Sequence, residues 1–222
     1  MNKVSVIIPV FNEEKTVKGV IETVLASEVA FEIICINDGS SDLSLSVLKN
    51  FGNKIELIDL GKNQGKGYTL AVGIKAAKGE IIVFLDSDHP NLSPDHVKDL
   101  VEPVLNQGFK AAIGLALSGV TSKSYKLLLG LLIKMNVYTG GQRVYFKKDI
   151  LPYLDQIAGT GYGAELFLNN LIVLEKVKFV PLNGLITINK NKKWPLSVAF
   201  KKWIVFNIEL TKQVFKKLFN LR

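Results

Sequence analysis

The segment VFLDSDHP, residues 83–90, sets two aspartates one residue apart directly after three apolar side chains. In an extended backbone positions i and i+2 face the same side, so Asp86 and Asp88 point together. Unpaired charge is costly to bury beside such a strand, so the pair calls for a positive partner. The competing reading is a turn in which Asp-Ser-Asp caps a helix beginning near Pro94. Two cationic side chains are also placed for chemistry. Lys66 lies in NQGKG, where flanking glycines let the backbone approach a phosphate; the alternative is a solvated lysine at a helix start. Arg143, in GGQRVYF, is the only arginine before residue 222, and a guanidinium fork grips phosphate oxygens as lysine cannot.

The elements that must position these groups are legible as a rhythm. β-Branched runs at 4–10, 31–38, 55–60 and 80–86 alternate with helical patterns such as EEKTVKGVIETVLAS and GKGYTLAVGIKAAKG. Near-continuous apolar strands separated by amphipathic helices predict a parallel sheet covered on both faces. Ligands of such sheets sit outside the carboxyl ends of the strands. Asn12 and Glu13 follow the first strand, Asn37 and Asp38 end the second, and Asp86 and Asp88 end the fourth. After residue 110 the rhythm breaks. AAIGLAL (111–117) reads as a strand and 123–136 as an apolar helix. GGQRVYF, a Gly-flanked helix start in GTGYGAELFLNNLIVLEK, and the strand-like KFVPLNGLITIN follow. The expected division is a domain over 1–189, with a nucleotide-binding half at 1–110 and an acceptor half at 111–189, then a tail at 190–222.

With 222 residues and 48% hydrophobic side chains, the chain can bury a sizeable core and is not of the disordered class. Cys35, inside FEIICIND, reads as an inert buried thiol, and the lack of cysteine pairs suits a reducing cytosol. The opening MNKVSVIIPVFNEE reaches a proline and two glutamates too early for a secretory leader. The longest apolar run, LLLGLLI at 127–133, falls far short of the roughly 20 residues that span a bilayer. The net charge is +8, and residues 190–222 hold nine basic side chains against one acid, Glu209, so they carry all of it. On a helical wheel Trp203, Phe206, Leu210, Val214, Leu218 and Leu221 share one side, while Lys202, Lys212, Lys216 and Asn220 share the other. Such a basic amphipathic helix lies in a membrane interface or packs on the domain with its lysines in water.

A dinucleotide fold would place G-x-G-x-x-G after the first strand, where VFNEEKT stands, and GKNQGKGYT lacks P-loop spacing. In contrast VSVIIPVFNEE, INDGSSD, NQGKGYTLAVGIKAAKGEIIVFLDSD and GQRVYF, in that order, resemble the family-2 glycosyltransferases of GT-A fold. Within them the chain is most similar to the branch of dolichol-phosphate mannose synthases and other polyprenyl-phosphate glycosyltransferases, over residues 3–188. The resemblance implies an α/β, Rossmann-like, mostly parallel sheet flanked by helices, with a C-terminal amphipathic helix. It assigns Asp88 to a divalent metal, Mg²⁺ or Mn²⁺, and Asp86 to the ribose side of the same site. His89 either joins the metal shell or is a turn residue. Asp38 takes the N–H of the nucleotide base, Pro9, Phe11 and Glu13 line base and ribose, and Lys66 meets the phosphates. Gln142 and Arg143 serve phosphate and acceptor, and Glu165 faces the acceptor as general base. A hydroxyl acceptor needs that base, whereas a phosphate acceptor is already ionised.

Two positions depart from the resembled pattern. Pro90 stands where relatives often have an amide, and Gly114-Leu115-Ala116 stands where lipid-phosphate members often have a Gly-Ser-Arg-like sequence. The expected activity is metal-dependent, inverting transfer from a nucleotide-diphosphate sugar to a membrane-presented acceptor, a polyprenyl phosphate. The expected location is cytoplasmic, peripheral on the inner face of the cell membrane. The rivals are transfer to a glycolipid or soluble hydroxyl, a sugar nucleotidyltransferase, and a nucleic-acid-binding module. The second normally has a Gly-rich basic loop after the first strand. The third is disfavoured because residues 1–189 carry no net charge.

Overall fold

The computed structural model describes residues 2–116, 140–161 and 163–186. The apolar helix expected at 123–136 and the tail at 190–222 lie outside them. The first half follows the expected rhythm: β1 (Val4–Val10), α1 (Val17–Ser27), β2 (Glu32–Asn37), α2 (Ser44–Lys49), β3 (Glu56–Asp59), α3 (Lys66–Ala76), β4 (Ile81–Phe84) and α4 (Pro94–Asn106). The second half supplies β5 (Ala111–Ala116), β6 (Arg143–Phe146), α5 (Lys147–Ile150), α6 (Leu154–Gly159), α7 (Ala164–Leu168) and β7 (Val177–Leu182).

Among the described residues seven strands form one sheet in the order β3-β2-β1-β4-β6-β5-β7. β1 to β4 run parallel, while β6 is antiparallel to both β4 and β5. The chain winds outward from β1 through β2 to β3, then returns to place β4 on the other side of β1. That reversal is a topological switch point, and it opens a crevice at the carboxyl ends of β1 and β4.

Both faces of the sheet are buried, which is why the central strands read as unbroken apolar runs. On one face Val6, Ile8, Val83 and Val144 pack against Val20 and Val24 of α1 and Val97, Leu100 and Val101 of α4. On the other, Ile7, Ile34, Ile82, Phe84 and Tyr145 pack against Leu70 and Ile74 of α3, Ile157 of α6 and Leu168 of α7. Cys35 is fully buried, and burial alone pushes its thiol far above the ordinary range, so it is the inert core thiol expected.

Three local differences have physical causes. α1 starts at Val17 rather than near Glu13, because the Thr16 and Val17 N–H groups both donate to the Glu13 carbonyl and make a turn first. α4 is capped by Ser93, whose Oγ accepts the His96 N–H at 3.3 Å while the Ser93 N–H donates to His96 Nδ1 at 3.2 Å. Asp86 and Asp88 are thereby released from the capping role. The helix expected to start in the Gly-flanked segment GTGYGAELFLNNLIVLEK is α7, only five residues long. Its sequence, apolar at Leu166, Phe167 and Leu168 in succession, has no helical stripe to extend, and Leu171 N–H folds back on the Leu168 carbonyl.

Gly73 lets α3 pack directly on the sheet, because it has no side chain there. A Cβ there would sit 2.5 Å from Ile7 Cγ2 and 3.1 Å from Ile36 Cδ1. Gly73→Val is expected to destabilise the protein by about 1–3 kcal/mol through overpacking. A denaturant melt with an unchanged slope and a lower midpoint would show it.

Candidate active site

The loops at the carboxyl ends of the strands are tied to one another by side chains. Asn12, after β1, has a positive φ of 54°. Its N–H donates to Ser40 Oγ at 3.0 Å and its Oδ1 accepts the Ser41 N–H at 2.8 Å. The Glu13 N–H donates to Ser44 Oγ at 2.7 Å, and Glu14 takes the Leu43 N–H at 2.9 Å. This lacing fixes the segment carrying half-buried Pro9 and Phe11 and buried Glu13 against the loop after β2.

Asp38, at the end of β2, turns to a different part of the chain. Its Oδ1 accepts the Gln64 N–H at 2.6 Å, and its Oδ2 accepts the Gly65 N–H at 3.1 Å and the Asn63 amide at 2.9 Å. It therefore organises the NQG loop that leads into α3, rather than capping the helix after it. Gly39 permits this contact, since a Cβ there would meet the Lys62–Asn63 backbone at 2.5–2.6 Å.

Lys66, the first residue of α3, is not a solvated lysine. Its Nζ lies 2.6 Å from Asp86 Oδ1 and 2.6 Å from Glu165 Oε1. Burial works to lower its pKa, but the charges of Asp86 and Glu165 and their hydrogen bonds outweigh that and hold the ammonium well above its ordinary range. Glu165 opens α7 and is buried. A residue of the first half thus joins both carboxylates, one from each half. The neighbouring backbone makes the same junction: the Gly67 N–H donates to the Gly161 carbonyl at 2.8 Å, and a Cβ on Gly67 would collide with the Ile157 carbonyl and Thr160 Oγ1.

Asp86 and Asp88 leave β4 on a turn anchored by the residue between them, since Ser87 Oγ donates to the Pro9 carbonyl at 2.8 Å. Asp86, Asp88 and His89 each bring a ligand atom within 4.8 Å of the others. Asp88 is 1% exposed and His89 3%, with Asp88 Oδ1 3.7 Å from His89 Nε2. Two carboxylates and one imidazole converging at this distance are a donor set suited to a divalent cation. Gln142 is buried and its amide donates to His89 Nε2.

Arg143 sits on β6 at 1% exposure. Its Nε donates to the Gly140 carbonyl at 2.5 Å, and its Nη1 to Tyr145 Oη at 3.0 Å and Asn169 Oδ1 at 2.7 Å. It ties the residues after α7 to the strand floor. Two contributors escaped the sequence reading. Ser87 bears no mark in the sequence beyond separating the two aspartates, and Gly141 carries the approach of Asp86, whose Oδ2 a Cβ there would strike. The glycine pair before Gln142 was the only sequence signal for the latter.

With this geometry in hand, comparison with known proteins is decisive at the level of family. The model of the family described as "Glycosyl transferase family 2" matches residues 5–150. The chain belongs to that family. Among curated family-2 relatives, undecaprenyl-phosphate 4-deoxy-4-formamido-L-arabinose transferase of Proteus mirabilis is 35% identical over 46% of this chain and 33% of its own length. Dolichyl-phosphate beta-glucosyltransferase of Drosophila melanogaster is 30% identical over 47% of this chain and 36% of its own. The matched stretch therefore spans about a third of these relatives. Glucosyl-3-phosphoglycerate synthase of Mycobacterium tuberculosis, crystallised with Mn²⁺, UDP-glucose and phosphoglyceric acid, has a TM-score of 0.72 at 22% identity. That match covers 97% of this chain and 79% of the synthase chain. This likeness shows the GT-A fold.

Removing the shared cation should be expensive. Lys66→Met leaves Asp86 and Glu165 facing each other and is expected to cost about 3–5 kcal/mol, as for other broken buried pairs. The double variant Lys66→Met/Glu165→Gln should lose clearly less, which a denaturant titration of the two would measure.

Proposed function

We propose that the protein is an inverting, metal-dependent glycosyltransferase that moves a sugar from a nucleotide-diphosphate donor to a polyprenyl phosphate at a membrane surface. The observation that carries this reading is the Asp86, Asp88 and His89 cluster at the switch-point crevice, joined through Lys66 to Glu165 of the acceptor half. Residues 1–110 hold the donor and 111–189 the acceptor, and the basic tail at 190–222 supplies the membrane contact. The location that follows is peripheral, on the cytoplasmic face. Among the described residues no helix is long and apolar enough to cross a membrane. The acceptor class is supported by the names of the relatives, which include a dodecaprenyl-phosphate galacturonate synthase of Rhizobium johnstonii, 28% identical over 50% of this chain and 35% of its own length.

In this mechanism Pro9, Phe11 and Glu13 border the base and ribose, with Asp38 holding the NQG loop beside them and accepting from the base edge. A divalent cation, Mn²⁺ or Mg²⁺, held by Asp88 and Asp86 would offset the charge that grows on the leaving diphosphate. Lys66 spends two of its three N–H donors on Asp86 and Glu165, and the third remains for a phosphate oxygen. Gln142 and Arg143 support the phosphate and acceptor side from the β6 floor. Glu165 faces the acceptor, where it takes a proton from a hydroxyl or orients an ionised phosphate.

One observation favours a second reading, transfer to a hydroxyl. β5 ends in Gly114, Leu115 and Ala116, which offer no cation to a lipid phosphate. Supplying a panel of UDP- and GDP-sugars with a membrane lipid extract, and following donor loss and sugar incorporation, tests the proposal. Sugar should enter a polyprenyl-phosphate product that mild acid cleaves; incorporation into a glycoside stable to mild acid instead favours the hydroxyl reading. Asp88→Asn should abolish transfer with the melting curve preserved, and a chelator should silence the wild type. Glu165→Gln should lower the rate about 10²–10⁴-fold for a hydroxyl acceptor and far less for a phosphate.

A further inference from the structure

The imidazole of His89 is gripped from outside its own loop. Its Nδ1 lies 2.9 Å from the Ile186 carbonyl oxygen. A carbonyl oxygen only accepts, so Nδ1 carries the proton and Nε2 presents its lone pair. That lone pair is directed to the interior of the cluster, where it accepts from the Gln142 amide and stands 3.7 Å from Asp88 Oδ1. A ring nitrogen donating to a backbone carbonyl is the arrangement that orients metal-binding histidines and raises the basicity of the other nitrogen.

The carbonyl that does this is itself held in place. Asn91 donates through Nδ2 to the Gly184 carbonyl at 2.7 Å and accepts the Ile186 N–H on Oδ1 at 2.8 Å. His96 adds a contact between Nε2 and the Asn183 carbonyl at 2.9 Å. The chain after β7 is thus fastened to the loop after Asp88 at residues 183, 184 and 186. One product of that fastening is a histidine with a single tautomer, buried beside Asp88 and Gln142.

Resting on the metal reading above, we infer that His89 Nε2 is a ligand of the catalytic cation, and that the site consequently selects a first-row transition ion over Mg²⁺. The physical reason is the donor atom. Mg²⁺ demands near-ideal octahedral oxygen ligation and sheds water reluctantly. Imidazole nitrogen suits first-row transition ions, and it replaces one of the oxygens Mg²⁺ would prefer. Gln142 is the partner that must yield. Its amide is neutral, so a cation displacing it from Nε2 breaks no ion pair, and the Nδ1–H bond to Ile186 is kept.

The test reads metal binding, not turnover. Mn²⁺ is titrated by electron paramagnetic resonance, with Mg²⁺ as competitor, in the presence of UDP and of GDP in turn; Co²⁺ is followed by its visible absorption. The wild type is expected to hold Mn²⁺ at least about tenfold more tightly than Mg²⁺. His89→Gln keeps a side chain of similar reach but offers an oxygen. It should lower Mn²⁺ affinity about 10–100-fold, leave Mg²⁺ affinity nearly unchanged, and alter the Co²⁺ spectrum. An unchanged Mn²⁺/Mg²⁺ ratio and Co²⁺ spectrum in His89→Gln would overturn the inference while leaving the metal reading intact. A wild type that binds none of these ions with either nucleotide would overturn both. Should His89→Gln fail to fold, Asn91→Ala changes an exposed residue and frees the Ile186 carbonyl. It must then weaken Mn²⁺ more than Mg²⁺, and equal losses or none count against the inference.

Discussion

Two carboxylates from opposite halves of the chain, Asp86 and Glu165, close on one buried ammonium, that of Lys66, at 2.6 Å each. Neither acid could be kept at low exposure in a pair without that cation, and the cation could not be buried without them. The constraint propagates. Because Lys66 is the first residue of α3, the helix must begin there, and the NQG loop before it must be held, which the carboxylate of Asp38 does. Because Glu165 opens α7, the chain at Gly161 must reach the start of α3, and glycine at 67 makes room for it. The ion triad thus sets the separation between the loop after β4 and the start of α7.

The sheet explains why the triad can exist at all. Its strand order reverses at β1, so the loops after β1 and β4 end side by side and Ser87 can bond to the Pro9 carbonyl. The antiparallel β6 then brings Gly141, Gln142 and Arg143 beneath Asp86 and His89, where a parallel strand would have delivered its opposite end. β7 returns alongside β5 and leaves residues 183–186 against the loop after Asp88. A site assembled from the ends of several strands is rigid at its floor and adjustable only in its loops.

Much of this was legible in the amino-acid sequence, because it rests on local chemistry. Apolar runs with both faces buried announce themselves as β1, β2 and β4, and residues at their carboxyl ends mark the crevice whatever the packing. The Asp-Ser-Asp spacing alone places two carboxylates on one side of an extended chain. The motif order was sufficient to identify the family, which the family match over residues 5–150 bears out. Elements that depend on distant partners were not legible in the same way. The turn before α1 is set by backbone hydrogen bonds that no residue pattern encodes.

What the sequence by itself determined is therefore the inventory: which acids, which lysine, which histidine, and which strand each follows. Only the tertiary structure decided the pairings. Asp86 and Lys66 are twenty residues apart, and Lys66 and Glu165 ninety-nine; nothing in local propensity selects these partners from the other lysines and acids. Burial selects them, since a charge withdrawn from water must be neutralised by whatever opposite charge the fold brings within reach. The same logic gave Asp38 to the backbone of residues 64 and 65, and His89 to the carbonyl of Ile186. Residue type sets what a side chain can do, and enclosure by the fold sets which partner it does it with.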